Sequence, residues 1–366
     1  MKVTRLQYER FRNLKDGVFE PCEGVNVIMG ENAQGKTNLL ESIWLFTGAK
    51  SFRQSKDREM VAFQQEDSHL QLDFFAGGRD QQATISIKGR RTAQLNGIAQ
   101  SSAAKLAGIF CGVVFSPAHL SLIKGGPQER RHLMDAAYCQ LRPTYVQTLS
   151  DYARVLVHRN ALCKAQNSGD GMEEMFDLWD KQLAQLGCLL IHSRQVYLRR
   201  MTPEARRIYR GLSGEKEDFD LQYLSTVPNV QDKTPAEIAQ ILYEQLKLHR
   251  ADDLAAGFTT VGPHRDDLEV TIDGRSARHF GSQGQQRSAV LAIKLAEASL
   301  LEKMTGEKPI ALLDDVMSEL DLSRQDYILN HIQDWQVFIT CCDSTSILKL
   351  VNGREFKMKD GILSTK

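Results

Sequence analysis

The chain has 366 residues, and its 46 lysines and arginines balance 46 aspartates and glutamates. Hydrophobic residues make up 42% and charged residues 25%, which is ordinary for a folded protein with a sizeable core. The balance disfavours binding of DNA by bulk charge, so any DNA contact requires a local basic patch. Apolar runs fall far short of the roughly 20 residues that span a bilayer, which excludes a transporter with its own membrane domain.

The seven cysteines show no C-x-x-C spacing of a zinc or redox site. Their odd number in a chain of this length fits reduced thiols in the cytosol better than a disulfide framework. Because no long apolar stretch follows the amino terminus, we expect no signal peptide. The sequence therefore predicts a cytoplasmic protein without a membrane partner.

The first 115 residues predict a mixture of strands and helix. Residues 25–29 form a short apolar run typical of a buried strand, and a helix is predicted over 36–48. Apolar and polar residues alternate over 70–74 and 85–87, as in half-buried strands. The dipeptide Asn96-Gly97 is a hairpin-turn signal.

Residues 128–255 show a helical pattern instead. One apolar stripe with 3-4-3-4 spacing consists of Phe176, Trp179, Leu183, Leu186 and Leu190. The stripe is too short for a long zipper, so we favour a core-facing helix over an intermolecular coiled coil. Thr234, Pro235 and Glu237 form a strong helix start. Residues 167–171 predict a loop.

The mixed pattern returns after residue 256. Buried strands are predicted over 309–313 and 337–340, and alternation over 268–272 leads into the turn signal Asp273-Gly274. The helix-rich block is therefore an insertion between two parts of one α/β domain with mixed sheets. The predicted divisions are 1–120, an inserted and mainly helical arm over 121–255, and 256–366.

A phosphate-binding loop is predicted between the first buried strand and its helix. The pattern G-x-x-x-x-G-K-[ST] is matched by Gly30, Glu31, Asn32, Ala33, Gln34, Gly35, Lys36 and Thr37. Its glycines let backbone N–H groups face phosphates, Lys36 reaches the β and γ phosphates, and the Thr37 hydroxyl ligates Mg²⁺. The flanking strand and helix favour an ATP site over a glycine-rich turn without a ligand.

Two acids, Asp314 and Asp315, end the later apolar run. Carboxylates at the end of a buried strand are costly unless a positive group lies there, and Mg²⁺ with a nucleotide is the natural partner. Asp314 then holds the metal or its water shell, and Asp315 orients or deprotonates the attacking water as the catalytic partner of Lys36. A surface turn with two solvated acids is the alternative, which the phosphate loop disfavours.

A third segment, 280–287, precedes a helix predicted over 288–301. A serine and a glycine at a helix start suit anion binding, although a simple helix cap is the alternative. Placed ahead of the acidic pair, the segment resembles the ABC signature, with Ser282 and Gly284 as nucleotide contacts. Residues 318–321 resemble the D-loop of the same superfamily. Along the chain, the phosphate loop is followed by the signature, the acidic pair and the D-loop. These four elements in this order resemble an ABC-type P-loop ATPase head.

Further segments resemble the RecF family. They are 11–14, 115–117, 124–127, Arg130-Arg131, 262–267 and 281–297. The resemblance covers nearly the whole chain, from Arg12 to Asp343, and the length fits because RecF proteins lack the long coiled coil of their SMC-like cousins. With the family in view, Arg12, Asn38 and Gln285 join the predicted nucleotide-binding residues.

The resemblance implies a mechanism that the motifs alone do not show. ABC ATPases close head to tail, so ATP and Mg²⁺ held by one subunit are covered by the signature of the other in an ATP-dependent homodimer. RecF proteins bind gapped DNA at single-strand/duplex junctions. With RecR and RecO they help RecA replace single-strand-binding protein, which supports replication-fork recovery and SOS induction. A nucleoid-associated, weakly DNA-stimulated ATPase is therefore expected.

Two departures from the ABC pattern affect this expectation. Asp315 stands where most ABC ATPases have glutamate, and 340–343 offer no switch histidine. We therefore predict slow hydrolysis. No Q-loop glutamine is evident; Ser116-Pro117 occupies the region.

Basic clusters in or near the arm are the candidate DNA contacts. They are Arg130-Arg131, Arg199-Arg200, Arg206-Arg207 and Arg210. Solvated helix faces with local ion pairs are the alternative for each cluster. Either His264 and Arg265 lie near the nucleotide, or they stabilise a polar loop.

Two other functions remain open at this stage. A soluble ATPase subunit of a membrane transporter is disfavoured by the large insertion and the missing switch histidine. An SMC-like ATPase that tethers chromosomes is disfavoured because no heptad stretch is long enough for its coiled coil.

Overall fold

The computed structural model describes residues 1–165, 171–342 and 353–365. Residues 167–170 of the predicted loop and Asp343 lie outside the described residues. The strands of the described part are β1 (Lys2–Glu9), β2 (Gly17–Phe19), β3 (Val25–Met29), β4 (Ser68–Ala76), β5 (Arg79–Lys88), β6 (Arg90–Leu95), β7 (Ile98–Gln100), β8 (Gly112–Phe115), β9 (Phe219–Leu224), β10 (Asp267–Ile272), β11 (Arg275–Ser276), β12 (Ile310–Asp314), β13 (Val337–Cys341), β14 (Gly353–Lys359) and β15 (Ile362–Thr365). The α-helices are α1 (Lys36–Trp44), α2 (Ser121–Lys124), α3 (Pro127–Leu141), α4 (Tyr145–Lys164), α5 (Met172–Ser213), α6 (Pro235–Leu248), α7 (Arg250–Ala256), α8 (Ala277–Phe280), α9 (Gln283–Thr305) and α10 (Leu322–His331).

A mainly parallel sheet forms the centre of the molecule, with strand order β15-β14-β3-β13-β12-β8. Strands β14, β3, β13, β12 and β8 run parallel, and β15 is antiparallel at one edge. Every residue of β12 and β13 is buried, which explains why they are apolar apart from Asp314 and Thr340 at their carboxyl ends. The carboxyl ends of β3, β12 and β13 lie at the same edge of the sheet, so three segments distant in sequence meet there.

A second, antiparallel sheet has the order β2-β1-β4-β5-β6-β7. Burial alternates along β4 and β5, as the alternating sequence predicts. Its buried face shares one core with α1 and with one face of the central sheet, through residues such as Leu70, Leu39 and Phe338. The predicted strands and the Asn96-Gly97 turn are confirmed. The predicted helix over 36–48 ends at Trp44 and continues as a 3-10 turn over Leu45–Thr47.

The inserted region is mainly helical, as predicted, but it contains one strand. Helix α5 is 42 residues long and buries Phe176, Leu183 and Leu190 of the predicted stripe within the arm. The Thr234 hydroxyl accepts the backbone N–H of Glu237 and thereby caps α6. Strand β9 pairs with β10, although a helical pattern was predicted there. The prediction missed this strand because the alternation at 219–224 spans only six residues. The pairing of β9 with β10 joins the mainly helical arm to the ATPase part.

The arm has a core of its own and also shares one with the rest of the molecule. Tyr152, Leu183 and Leu242 belong to a cluster formed by α4, α5 and α6. The second half of α5, with Tyr197 and Ile208, packs with α9 into the core beneath the central sheet. The division at residues 121 and 255 therefore stays a prediction. No helix in the three described ranges is long and apolar enough to cross a membrane.

A buried charge network fixes the arm helices to one another. The fully buried Arg159 of α4 donates to Asp180 of α5 at 2.6 Å and to Asp253 of α7 at 2.6 Å. It also donates to the Thr259 hydroxyl at 2.8 Å and to the Leu246 carbonyl at 3.2 Å. Both carboxylates are fully buried too, and Asp180 also accepts from Arg250 at 2.6 Å, so the charges compensate one another within the network.

Candidate nucleotide-binding site

The phosphate loop leaves β3 at Gly30 and enters α1 at Lys36. Gly35 has φ 113°, which side-chain-bearing residues rarely adopt, and it lies directly before the first helical residue. A Cβ at Gly30 would lie 2.3 Å from the Met358 carbonyl oxygen of β14. The two motif glycines are therefore required by the turn and by close contact with the neighbouring strand.

Lys36 lies inside the loop rather than in solvent. Its Nζ donates to the carbonyl oxygens of Gly30 at 2.7 Å and Glu31 at 3.0 Å, and it lies 3.7 Å from Sγ of Cys342. The Cys342 thiol in turn lies 3.2 Å from Asn32 Oδ1. The ammonium group is thus held where the loop turns, in the position from which it can reach a phosphate.

Asp314 and Thr37 meet at the carboxyl edge of the central sheet. The Thr37 hydroxyl donates to Asp314 Oδ1 at 2.8 Å, and the Thr340 hydroxyl of β13 donates to the same oxygen at 3.0 Å. Burial is the main cause that raises the pKa of the Asp314 carboxyl above its ordinary value, and neighbouring Asp315 adds to the increase. A hydroxyl and a carboxylate at this distance are ligands that suit Mg²⁺.

Asp315 follows β12 in a strained conformation. Its φ is 51°, and its backbone N–H donates to the Thr340 hydroxyl at 2.9 Å. Thr340 therefore bridges the two acids, a role that the sequence did not reveal. The Ser318 hydroxyl donates to the Asp315 carbonyl at 2.8 Å and ties the predicted D-loop to the acidic pair.

Two asparagines connect the loop with the start of α1. Asn13 Nδ2 donates to the Ala33 carbonyl at 3.0 Å, and Asn38 Nδ2 donates to Asn13 Oδ1 at 2.6 Å. Arg53 Nη1 donates to Asn38 Oδ1 at 2.8 Å. The sequence placed Asn38 correctly beside the loop but gave no role to Asn13 or Arg53, because their contacts follow from the tertiary fold.

Arg12 lies beside the same helix, with its guanidinium turned toward α1. Nε and Nη2 donate to the two carboxylate oxygens of buried Glu41 at 2.8 and 2.9 Å. Nη2 also donates to Ser55, and Nη1 donates to the Glu59 carbonyl at 3.0 Å. Arg12 therefore joins α1 to residues 55–59, and its contact with a nucleotide stays a prediction.

The hairpin β14–β15 supports the loop from the other side. The Gly361 N–H donates to the Gln34 carbonyl at 3.1 Å, and the Asp360 N–H donates to Gln34 Oε1 at 2.5 Å. Gly361 also accepts from the Lys15 N–H at 2.9 Å. No local sequence signal indicated this support.

The signature segment begins α9. The Ser282 hydroxyl accepts from the Gln285 N–H at 3.2 Å, and the Gln285 side chain accepts from the Ser282 N–H at 2.8 Å and donates to Glu217 at 2.9 Å. Arg287 pairs with Glu319, which places the D-loop beside the signature. In the described ranges, no hydrogen bond of Ser282 or Gln285 reaches the phosphate loop of the same chain.

The arginine clusters divide into buried and exposed members. Arg130 is 4% exposed and forms a two-pronged pair with Asp267, which corrects its selection as a DNA contact. Arg206, Arg207 and Arg210 are about half exposed, each beside a carboxylate at 2.7–2.8 Å.

The loop that contains His264 and Arg265 packs against helix α4 of the arm. His264 contacts the Tyr152 hydroxyl at 2.7 Å and the Thr259 carbonyl at 3.0 Å, while Arg265 donates to that carbonyl and covers Phe258. Burial lowers the pKa of His264 to about 4. Of the two predicted roles, the structure shows the polar loop stabiliser.

Three features together define a class of protein. They are a phosphate loop after β3, an acid pair at the end of β12, and a signature segment at the start of α9. Fold and site are those of an ABC-type P-loop ATPase head with mixed sheets and an inserted, mainly helical region.

Comparison with known proteins narrows this class. The family described as RecF/RecN/SMC N terminal domain matches residues 2–362. The chain is 36% identical over 365 residues to the DNA replication and repair protein RecF of Clostridium tetani, covering 99% of each chain. It is 40% identical over 344 residues to RecF of Heliobacterium modesticaldum, covering 93% of this chain and 92% of that one. The chain belongs to the RecF family.

Solved structures agree with this assignment. The chain is similar to a structure of the recombination mediator protein RecF-ATP in the RecFOR pathway, with a TM-score of 0.93 and 36% sequence identity. The match covers 100% of this chain and 97% of that one. The Smc head domain of Pyrococcus furiosus matches with a TM-score of 0.55 and 14% sequence identity, over 100% of this chain and 96% of that one. This similarity shows the fold alone.

Proposed function

We propose that the chain is an ATP-dependent DNA-binding protein of recombinational repair that recognises gapped DNA at single-strand/duplex junctions. It acts with RecR and RecO to load RecA, at the nucleoid in the cytoplasm, and so supports replication-fork recovery and SOS induction. The observation that carries the proposal is the joining of Lys36, Thr37 and Asp314 at one sheet edge in a member of the RecF family. Membership of that family supports the DNA and partner assignments.

The site residues divide the work of ATP binding and hydrolysis. Backbone N–H groups of the loop and Lys36 hold phosphates, and Thr37 and Asp314 hold Mg²⁺, which neutralises charge on the phosphates when bound. Asp315 positions the attacking water. Its side chain is one methylene shorter than glutamate, so we expect weak, DNA-stimulated turnover.

The signature acts on the nucleotide of a second copy of the chain. Its segment lies at the start of α9, and the described side-chain hydrogen bonds of Ser282 and Gln285 go to each other and to Glu217 rather than to the loop. Head-to-tail closure brings Ser282 and Gly284 of one copy onto the phosphates held by the other. ATP is then part of the interface, and hydrolysis releases the pair.

Sedimentation of the full chain with ATP or ADP, with and without gapped DNA, tests this proposal. We expect a dimer only with ATP, tightened by gapped DNA and lost in Ser282→Arg. Ser101→Arg, a change at an exposed serine before the 3-10 turn Ala103–Leu106, is the matched control and should dimerise normally. A wild-type protein that stays monomeric with ATP and ignores DNA would refute the clamp.

Phosphate release measures the predicted turnover. We expect slow hydrolysis that gapped DNA accelerates. Turnover of tens per second without DNA would contradict a timed clamp.

A further inference from the structure

Thr340 is a buried residue of β13 that lies directly opposite Asp314 of β12 in the parallel sheet. Its side chain is completely buried, so its hydroxyl group has to find hydrogen-bond partners inside the protein. A threonine hydroxyl can donate one hydrogen bond and can also accept. Both capacities are used here, and both partners belong to the acidic pair.

The donated hydrogen bond holds the side chain of Asp314. Thr340 Oγ1 donates to Asp314 Oδ1 at 3.0 Å, and the Thr37 hydroxyl donates to the same oxygen at 2.8 Å. Within the described ranges, no hydrogen bond reaches Asp314 Oδ2, which leaves that oxygen for a cation or its water shell. Because Thr37 is itself the proposed Mg²⁺ ligand, Thr340 is the donor that can stay on Asp314 when the nucleotide binds.

The accepted hydrogen bond holds the backbone of Asp315. The Asp315 N–H donates to Thr340 Oγ1 at 2.9 Å, one residue after β12 ends. The φ of 51° at Asp315 is uncommon for a residue other than glycine, and such a conformation persists only where surrounding contacts hold it. The hydrogen bond to Thr340 is one of these contacts. Thr340 therefore helps to fix the direction in which the half-buried Asp315 side chain leaves the backbone.

We propose that Thr340 is a positioning residue for ATP hydrolysis, which sets the acid for Mg²⁺ and the acid for the attacking water relative to each other. The inference rests on the ATP hydrolysis proposed above, and it adds a residue that lies outside the phosphate loop, the signature and the acidic pair. One hydroxyl group contacts both acids, so its removal disturbs both at once. Groups that orient a metal ligand commonly change metal affinity or activity by about 10–100-fold.

The main test variant is Thr340→Val, which keeps the shape of the side chain and removes the hydroxyl. With gapped DNA and saturating ATP, we expect kcat measured by phosphate release to fall about tenfold or more. Equilibrium titration of the full chain with ATP gives a second readout that does not depend on turnover. Affinity in EDTA should be unchanged, because the phosphate loop is intact, whereas affinity with Mg²⁺ should fall about tenfold.

Two further variants control for the loss of a buried group. Thr340→Ser retains the hydroxyl and should restore both kcat and the Mg²⁺-dependent affinity. Thr47→Val is the matched control, since the Thr47 hydroxyl is also buried, donates to the Trp44 carbonyl at 2.8 Å and accepts from the Ala49 N–H at 3.4 Å. It removes an equivalent hydroxyl away from the acids and should change neither readout.

The outcomes separate this inference from the function on which it rests. Wild-type kcat in Thr340→Val would overturn the positioning role and leave the proposed ATPase intact. Equal weakening of ATP binding in EDTA and in Mg²⁺ would overturn it too, because Thr340 would then support the phosphate loop. A Thr340→Ser variant as slow as Thr340→Val would also contradict it. A wild-type chain that binds ATP but never hydrolyses it would refute the proposed ATPase, and this inference with it.

Discussion

Asp314 is held in an environment that opposes its own charge. Burial raises the pKa of its carboxyl, and the only donors to it in the described structure are the hydroxyls of Thr37 and Thr340. A carboxylate with a raised pKa costs folding free energy at pH values above that pKa. The buried carboxylate therefore favours a bound cation, and it lowers the stability of the protein when no cation is bound.

We predict that Asp314→Asn stabilises the nucleotide-free protein, because the amide oxygen still accepts both hydroxyls without a buried charge. Thermal unfolding at pH 7–8 should show an increase in Tm of about 2 °C or more. The gain should shrink as the pH falls toward about 4, where the unfolded carboxyl becomes protonated. The stabilisation that Mg²⁺-ATP gives to the wild type should be absent.

Asp334→Asn provides the control, since that carboxylate is 87% exposed and pairs loosely with Lys308. It should alter neither the Tm nor the response to Mg²⁺-ATP. A lower Tm for Asp314→Asn at pH 7–8 would contradict the interpretation of a costly buried charge.

At the scale of elements, the arm depends on charges in its interior rather than on its surface pairs. Arg159 joins α4 to α5 and α7 through two buried carboxylates. Removing one partner of such a network leaves uncompensated buried charge, which costs about 3–5 kcal/mol. The exposed pair Arg154–Asp151 on the same helix contributes about 0–1 kcal/mol.

We predict that Arg159→Met lowers the free energy of unfolding of the arm by about 3 kcal/mol or more, measured by urea denaturation. Adding Asp253→Asn should recover part of the loss, because it neutralises one stranded carboxylate. Arg154→Met should cost at most about 1 kcal/mol. Comparable losses in the two single variants would show that burial of the network is unimportant.

Local sequence patterns predicted the strands, turns and helix caps whose formation depends on residues close together in the chain. The buried strands before Gly30 and Asp315, the loop glycines and the Thr234 cap were all found, because spacing and turn chemistry encode them. The proximity of Thr37 and Asp314 also followed, since parallel strands end at one edge. Strand β9 was missed because a six-residue alternation is weak within a helical stretch.

Contacts that join distant segments could not be predicted in this way. Asn13 with Asn38, Thr340 with the acid pair, and Gln34 with Gly361 depend on which strands become neighbours. For the same reason, Arg130 was included among the candidate DNA contacts although it is buried and pairs with Asp267. Residue type alone does not distinguish a buried arginine from an exposed one.

At the scale of the whole molecule, a neutral chain needs a local surface to hold DNA. Arg206, Arg207 and Arg210 lie on the last turns of α5, and all three are about half exposed. Asp218, the partner of Arg210, is 76% exposed, and such surface pairs are weak enough to exchange for phosphates. The cluster therefore stays the candidate DNA contact of the arm.

We predict that simultaneous reversal to glutamate at Arg206, Arg207 and Arg210 weakens binding of gapped DNA by tenfold or more at low salt. The salt dependence of the remaining affinity should become shallower, because fewer phosphate contacts release counterions. Fluorescence anisotropy over a salt series measures both effects. Reversal at exposed Arg79, Lys88 and Arg90 changes the net charge equally and should leave the slope unchanged.

The support of the phosphate loop by the hairpin β14–β15 has a consequence for synthesis of the chain. Strand β3 is made early, yet its two sheet neighbours are β13 and β14, and Gln34 is held by the turn before β15. A nascent chain on the ribosome therefore contains the complete ATP motif long before it contains the segments that shape it. Such pairing across the full length of a sequence forms late in folding. We therefore expect chains that lack β13 and β14 to be unable to form the ATP-dependent pair proposed above.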